Sequence, residues 1–191
     1  MYDAYKQARN AAWQALIDGG IVSLPTPLKS IVRLANARIV DNVKINLLRD
    51  NQLGCLAMLK GSLYIVLDRT VSVQRQRYTL AHELGHILLG HTLTKATLNR
   101  DSVIVYADPQ EYQAERFAID ILAPACVLWG LDLHTPEEIA EACNISMQSA
   151  TIRANRMEEL YKRGKFLVSP LERQVYAQFK SFIEKNTKRE S

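Results

Sequence analysis

The sequence contains only three cysteines in 191 residues, and that scarcity excludes a covalent framework. Cys55, Cys126 and Cys143 are odd in number, widely spaced and set among apolar neighbours. That context suits reduced, buried thiols, and no CxxC pair offers a thiolate metal site. A long apolar run is also missing. The amino-terminal stretch carries Asp3, Lys6 and Arg9 within a helical pattern, so the expectation is a cytoplasmic chain with neither signal peptide nor membrane span. Charge of one sign is in small excess: a net +4 spread along the chain is no strong nucleic-acid footprint. No extended disordered tract is evident. With 48% hydrophobic and 23% charged residues, the chain can bury one sizeable core, or a core plus an appendage.

What is present is concentrated in five residues, His82-Glu83-Leu84-Gly85-His86. On an α-helix, side chains four apart project from one face, so His82 and His86 can both offer a ring nitrogen to one tetrahedral ion. Glu83 is rotated by about 100° from that pair. It is better placed to hold a water beside the metal than to ligate the metal itself. A catalytic zinc lowers the pKa of water from about 15.7 to about 7, and a carboxylate can take the remaining proton as the oxygen attacks a carbonyl. The spacing is that of a zinc hydrolase, with a peptide bond as the natural target. Leu80, Ala81, Leu84, Ile87 and Leu88 recur at three- and four-residue intervals, so the helix is buried along one side and its histidines border a packed core.

An open zinc site normally needs a third protein ligand. One source is His91, but the extended pattern HExxHxxGxxH requires Gly at position 89 and His at 92, where this chain has Leu89 and Thr92. Gly90 reads instead as the helix stop, and His91 as a last-turn residue favouring the negative end of the helix dipole. The second source is the segment Glu111 to Ala118. There Ala114, Phe117, Ala118, Ile121 and Leu122 mark an apolar helix face, and Pro124 a terminator. Glu111 and Glu115 share a face one turn apart. One can complete the site, Glu111 being preferred, while the other hydrogen-bonds a histidine ring and fixes its tautomer. Such a pair can equally be a solvated face.

Together, Arg77-Tyr78-Thr79-Leu80-Ala81 with the pentapeptide, and Glu111 to Ala118 with Ile121-Leu122-Ala123-Pro124, resemble the ImmA/IrrE-type metallopeptidases of bacteria, mobile elements and phages. The resemblance spans roughly residues 15 to 165, with specific motifs only in its middle third. It implies a zincin-like fold, Zn²⁺ on His82, His86 and Glu111, and Glu83 as the catalytic carboxylate. Glu115 falls where the family has Asn or Asp, which leaves its support of the histidines less secure than the metal. The resemblance also implies regulatory cleavage, with a protein substrate such as a helix-turn-helix repressor of a mobile element or stress regulon. Zn²⁺ suits two imidazoles and a carboxylate, and Mn²⁺, Fe²⁺ or Co²⁺ can occupy the same donors.

The punctuation of the chain predicts a helix over residues 2–18 ending at Gly19-Gly20, a break at Pro25 and Pro27, and a helix from Leu28 to Ala37. Three extended runs follow, Val43 to Leu48, Leu53 to Leu59 and Ser62 to Leu67, the last two joined by a turn at Lys60-Gly61. They predict a small antiparallel sheet beside the metal helix, to whose edge an extended peptide can add. Ser102 to Tyr106 reads as a strand or a loop over the cleft, with Tyr106 as an oxyanion donor or a packed aromatic. Thr135 to Leu160 has helix-turn-helix spacing around Asn144-Ile145-Ser146. Arg153, Arg156, Lys162, Arg163 and Lys165 give it a basic end, whereas Glu137, Glu138 and Glu141 would repel phosphates, so DNA contact is open but not favoured. From Pro170, a helix with a Val175, Phe179, Phe182 and Ile183 stripe should dock on the body, leaving a frayed polar tail.

The fold class expected is α+β, mostly helical. The expected organisation is a metallopeptidase domain over 1–130, a helix-turn-helix-like subdomain over 131–168 packed on it, and a carboxy-terminal helix and tail over 169–191. Two functions stand: a zinc endopeptidase, or a zinc-containing regulatory protein whose metal is structural and whose helical portion binds DNA or protein. Glu83 separates them, because a structural site has no use for a carboxylate beside an open position.

Overall fold

The computed structural model describes residues 2–91 and 108–187, and the expectation for Ser102 to Tyr106 lies outside them. Among the described residues the elements run α1 (Tyr2–Asp18), α2 (Leu28–Leu34), β1 (Ala37–Asp41), α3 (Asn42–Ile45), β2 (Gly54–Leu59), β3 (Ser62–Leu67), α4 (Val73–Leu88), α5 (Pro109–Leu122), α6 (Ala125–Gly130), α7 (Pro136–Cys143), α8 (Met147–Arg163) and α9 (Pro170–Asn186). The fold is α+β, with a three-stranded sheet beside a larger helical body.

Local chemistry sets the helix ends. Ser72 caps α4 through the Arg75 N–H, and Asp108 caps α5 through the Gln110 N–H, with Pro109 in the first turn. Thr135 and Glu138 form a reciprocal capping box on α7, and Ser146 caps α8. At the other end of α4, Gly90 takes φ +69°. The Gly90 N–H then reaches the Ile87 carbonyl at 3.1 Å and the His91 N–H reaches that of His86 at 2.9 Å, closing the helix as a Schellman motif.

Two stretches differ from expectation. The second helix stops at Leu34; Asn36 adopts φ +48° and Ala37 opens β1. Val43 to Leu48 is not a strand. The Asp41 side chain accepts the Val43 N–H, and Asn42 Oδ1 accepts those of Leu47 and Leu48, each at 2.9 Å. These Asx bonds take up the amides a ladder would have used, giving the short α3 and a coil. The sheet is accordingly mixed, in the order β1-β3-β2. β3 pairs antiparallel with β2 through the predicted Lys60-Gly61 turn, and parallel with β1, with Ile39 opposite Ile65. The excursion through α3 and β2 supplies the crossover that a parallel pair requires.

One apolar cluster runs from α1 through α4 and α5 to α9, including Leu16, Leu84, Phe117, Leu128, Ile139 and Phe179. The α9 stripe docks as its pattern predicts, with Val175, Phe179 and Ile183 buried. The helix-turn-helix-like pair is pinned to this body by polar bonds. Arg77 of α4 donates to the carbonyls of Asn144 (3.2 Å), Cys143 (3.4 Å) and Thr26 (3.2 Å), and Arg153 of α8 donates to Asp120 and Ala123. All three cysteines are free, with Cys126 and Cys143 buried.

Candidate metal centre

The site is built where α4 and α5 approach each other most closely. Gly85 lies one turn beyond His82, three residues on, and immediately before His86 in the chain. A Cβ placed there would meet the Ala114 Cα and carbonyl oxygen, each at 3.1 Å. Glycine at this position therefore lets α5 lie directly against α4. Glu111 stands one turn before Ala114, on the same side of α5, so this close packing also delivers its carboxylate to the two imidazoles.

The resulting donor set is compact. His86 Nε2 lies 3.0 Å from His82 Nε2, Glu111 Oε2 lies 3.2 Å from His82 Nε2, and Glu111 Oε1 lies 3.5 Å from His86 Nε2. Ligands about 2.0–2.1 Å from a tetrahedral zinc stand about 3.3–3.4 Å apart, and one donor atom from each of the three residues lies within 4.8 Å of the other two. His82, His86 and Glu111 thus lie close enough to hold one metal ion. Burial depresses the His82 pKa despite the contact with Glu111, which keeps the ring neutral with a lone pair to donate. For Glu111, burial would raise the pKa, but hydrogen bonds with His82 and His86 outweigh it and hold it at about 2, so the carboxylate is ionised.

Glu83 adjoins this triangle in a different state. It is fully buried, and neither carboxylate oxygen has a hydrogen-bond partner among the described residues. Burial, and then the neighbouring Glu111 charge, push its pKa up to about 8. A dry, unpartnered carboxylate is costly in a scaffold, and it fits a position beside a cation and a reacting water.

The ring of His86 is held from behind. His91 Nδ1 lies 3.0 Å from His86 Nδ1, His91 Nε2 lies 3.1 Å from Gln113 Oε1, and the Gln113 amide donates to Gln7 Oε1 at 2.9 Å. One proton arrangement satisfies the whole row. With the His86 Nε2 lone pair turned to the metal position, its Nδ1–H donates to His91, whose Nε2–H donates to Gln113. His91 therefore supports a donor instead of being one, and does so from three residues beyond the end of α4. Glu115, expected in that supporting role, is half-buried on α5, where burial raises its pKa against the influence of Arg116. No hydrogen bond joins it to either ring: His82 Nδ1 has no partner among the described residues, and His86 Nδ1 faces His91. The signal for His91 was in the sequence. A left-handed Gly90 reverses the chain, which returns the following residue over the last turn of the helix.

Comparison with known protein families gives a match to the IrrE N-terminal-like domain, a peptidase family, over residues 42–155. The chain belongs to this family. Curated proteins include no match to the chain. The matched stretch holds α4, α5, α7 and the first half of α8, whereas α1 and α9 fall outside it. Membership in the IrrE N-terminal-like family supports a metallopeptidase-type function, in accord with the His82, His86 and Glu111 cluster. No helix among the described residues is long and apolar enough to cross a membrane.

Proposed function

We propose that this chain is a zinc-dependent endopeptidase of the HExxH class, in which His82, His86 and Glu111 hold the metal and Glu83 is the general base. The observation that carries this reading is the pairing of a three-donor triangle with a buried carboxylate that no group among the described residues satisfies. When bound, zinc polarises the scissile carbonyl and lowers the pKa of water. Glu83 takes a proton from the attacking water as its oxygen adds to the carbonyl carbon. The same carboxylic acid returns that proton to the amide nitrogen as the C–N bond breaks, leaving a carboxyl group and an amine. His91 and Gln113 keep the His86 lone pair turned toward the metal throughout. Glu115 contributes charge at the second turn of α5.

The sheet supports a peptide substrate. β2 is an edge strand, and its first residue, Gly54, packs so tightly on α4 that a Cβ there would meet Thr79 Cγ2 at 2.5 Å. An extended segment adding to β2 by main-chain hydrogen bonds runs beside the turn of α4 that carries Glu83. The substrate must present such a segment, which favours a specific intracellular regulatory protein, such as a helix-turn-helix repressor of a mobile element or stress regulon, over bulk digestion. Family resemblance and the expected cytoplasmic setting support that choice. The alternative, a DNA-binding protein with a structural metal, loses basic side chains to internal pairing: Arg153 to Asp120, Arg156 to Glu159 and Lys162 to Glu158.

The test compares new protein amino termini in cells producing the wild type or Glu83→Gln, alongside the metal content of both purified proteins. The expected result is equal zinc and a set of wild-type-only termini within a regulatory protein. Identical termini in the two strains would sink the peptidase reading, and termini spread over abundant proteins would sink the regulatory substrate.

A further inference from the structure

Away from the metal centre, a cavity of about 340 Å³ lies between α1, α8 and the start of α9. Its lining is unbalanced in hydrogen-bonding capacity. Trp13, 3% exposed, has an Nε1–H without an acceptor among the described residues, and the buried Nε–H of Arg156 has none either. The two carboxylates of the cavity are already engaged. Asp120 accepts from Arg153 at 2.9 Å, and Glu172 accepts the Val168 N–H at 3.0 Å. Arg9, Arg163 and Lys165 line the same space and make no ion pair with a carboxylate among the described residues. Among the described residues two buried donors are left over, and the five cationic side chains of the lining outnumber its two carboxylates, of which Glu172 already meets the Arg9 charge.

Leaving a donor buried without an acceptor costs about 1–3 kcal/mol, and clustered cations add repulsion. A neutral apolar ligand would leave both costs in place, and a cation would increase the second. A compact anion with several acceptor oxygens relieves both. Guanidinium groups match phosphate oxygens in geometry as well as charge. Here two of them lie over aromatic rings, Arg9 at 4.4 Å from the Trp13 ring centroid and Arg156 at 5.4 Å from that of Tyr5. The volume is at the lower end of small-molecule pockets, about 300–1,000 Å³, with room for a phosphate group and a small organic body.

We propose that this cavity binds a small phosphate-bearing anion. Tyr5, Arg9, Trp13, Arg156, Arg163 and Lys165 lie outside residues 42–155, so most of the anion-facing groups flank the family domain, which contributes Asp120 and Arg153 to the wall.

Calorimetric titration of the full chain with inorganic pyrophosphate tests this directly, with Glu111→Ala included to separate the cavity from any anion held by metal. One pyrophosphate per chain should bind wild type and Glu111→Ala alike. Arg9→Gln and Lys165→Gln should each weaken binding about tenfold or more, as removal of a charge-assisted bond implies. Lys165 is exposed, so its substitution keeps the test valid if Arg9→Gln fails to fold. Absence of binding, binding indifferent to Lys165→Gln, or binding lost in Glu111→Ala would each overturn the proposal.

Discussion

Two buried ionisable side chains, Glu83 in α4 and Arg153 in α8, show how differently the same burial can be used. Arg153 is 3% exposed and fully engaged, its Nε 2.6 Å from the Ala123 carbonyl oxygen and its terminal nitrogen 2.9 Å from Asp120. Glu83 is as deeply buried and has no partner for either oxygen among the described residues. A charge with its bonds complete holds helices together, and its loss is felt in stability. An ionisable group without bonds is kept at a cost to the fold, so its loss should be felt in chemistry. The same rule separates the wider regions. The α7–α8 pair spends its polar groups on caps and ion pairs, and the α4–α5 pair leaves its polar groups facing one point.

The largest effect that would sharpen this contrast is on turnover. Glu83→Gln should lower cleavage by about 10²–10⁴-fold, the usual worth of a general acid–base group, while zinc content and melting temperature hold. A melting temperature that falls with activity would make Glu83 a scaffold residue and break the comparison. Arg153→Met should do the reverse, destabilising the protein by about 3–5 kcal/mol because Asp120 is left buried and unpaired, as read by urea unfolding. Arg153→Met combined with Asp120→Leu should recover most of that loss. If the double variant is no more stable than the single one, the pair is not what α8 relies on.

A smaller effect is expected behind the metal. His91→Ala should weaken zinc affinity about 10–100-fold, the range for groups that orient a ligand, measured by competition with a chromogenic chelator. His91→Asn, which can still accept from His86 Nδ1, should restore part of it and return the Co²⁺ absorption spectrum toward wild type. An unchanged affinity in His91→Ala would remove His91 from the centre. Gln7→Ala, at the exposed end of the row, should shift zinc affinity by only a few-fold, in line with a single neutral hydrogen bond of about 0.5–1.5 kcal/mol. An effect larger than that of His91→Ala would mean that α1 holds the centre by another route.

Much of the candidate site is legible from the sequence because helical spacing is local. His82, Glu83 and His86 lie within five residues, and the period of an α-helix alone decides which side chains share a face. Glu111 required one further step, an apolar face to dock its helix, and that pattern is also local. The errors arose where a competing local bond or a distant partner decided the outcome. Asp41 and Asn42 captured the amides of Val43 to Leu48 and moved the first strand to Ala37–Asp41. The expected antiparallel sheet became mixed because strand direction depends on which strand lies alongside, and β1 found β3 across a crossover. The contact of His91 with the His86 ring was likewise not read, because it depends on the Gly90 reversal that returns the chain to the helix end.

By itself, the sequence determined which helix face carries His82 and His86, the caps and stops of the helices, and the helix-turn-helix spacing of α7 and α8, because each depends on residues within a turn or two of one another. Tertiary structure alone decided that Gly85 and Ala114 would meet, that Arg153 would turn inward to Asp120, and that Tyr5, Arg9 and Trp13 would share a cavity with Arg163 and Lys165. These are contacts between segments tens to more than a hundred residues apart. Packing geometry selects them, and no periodicity in the chain encodes it.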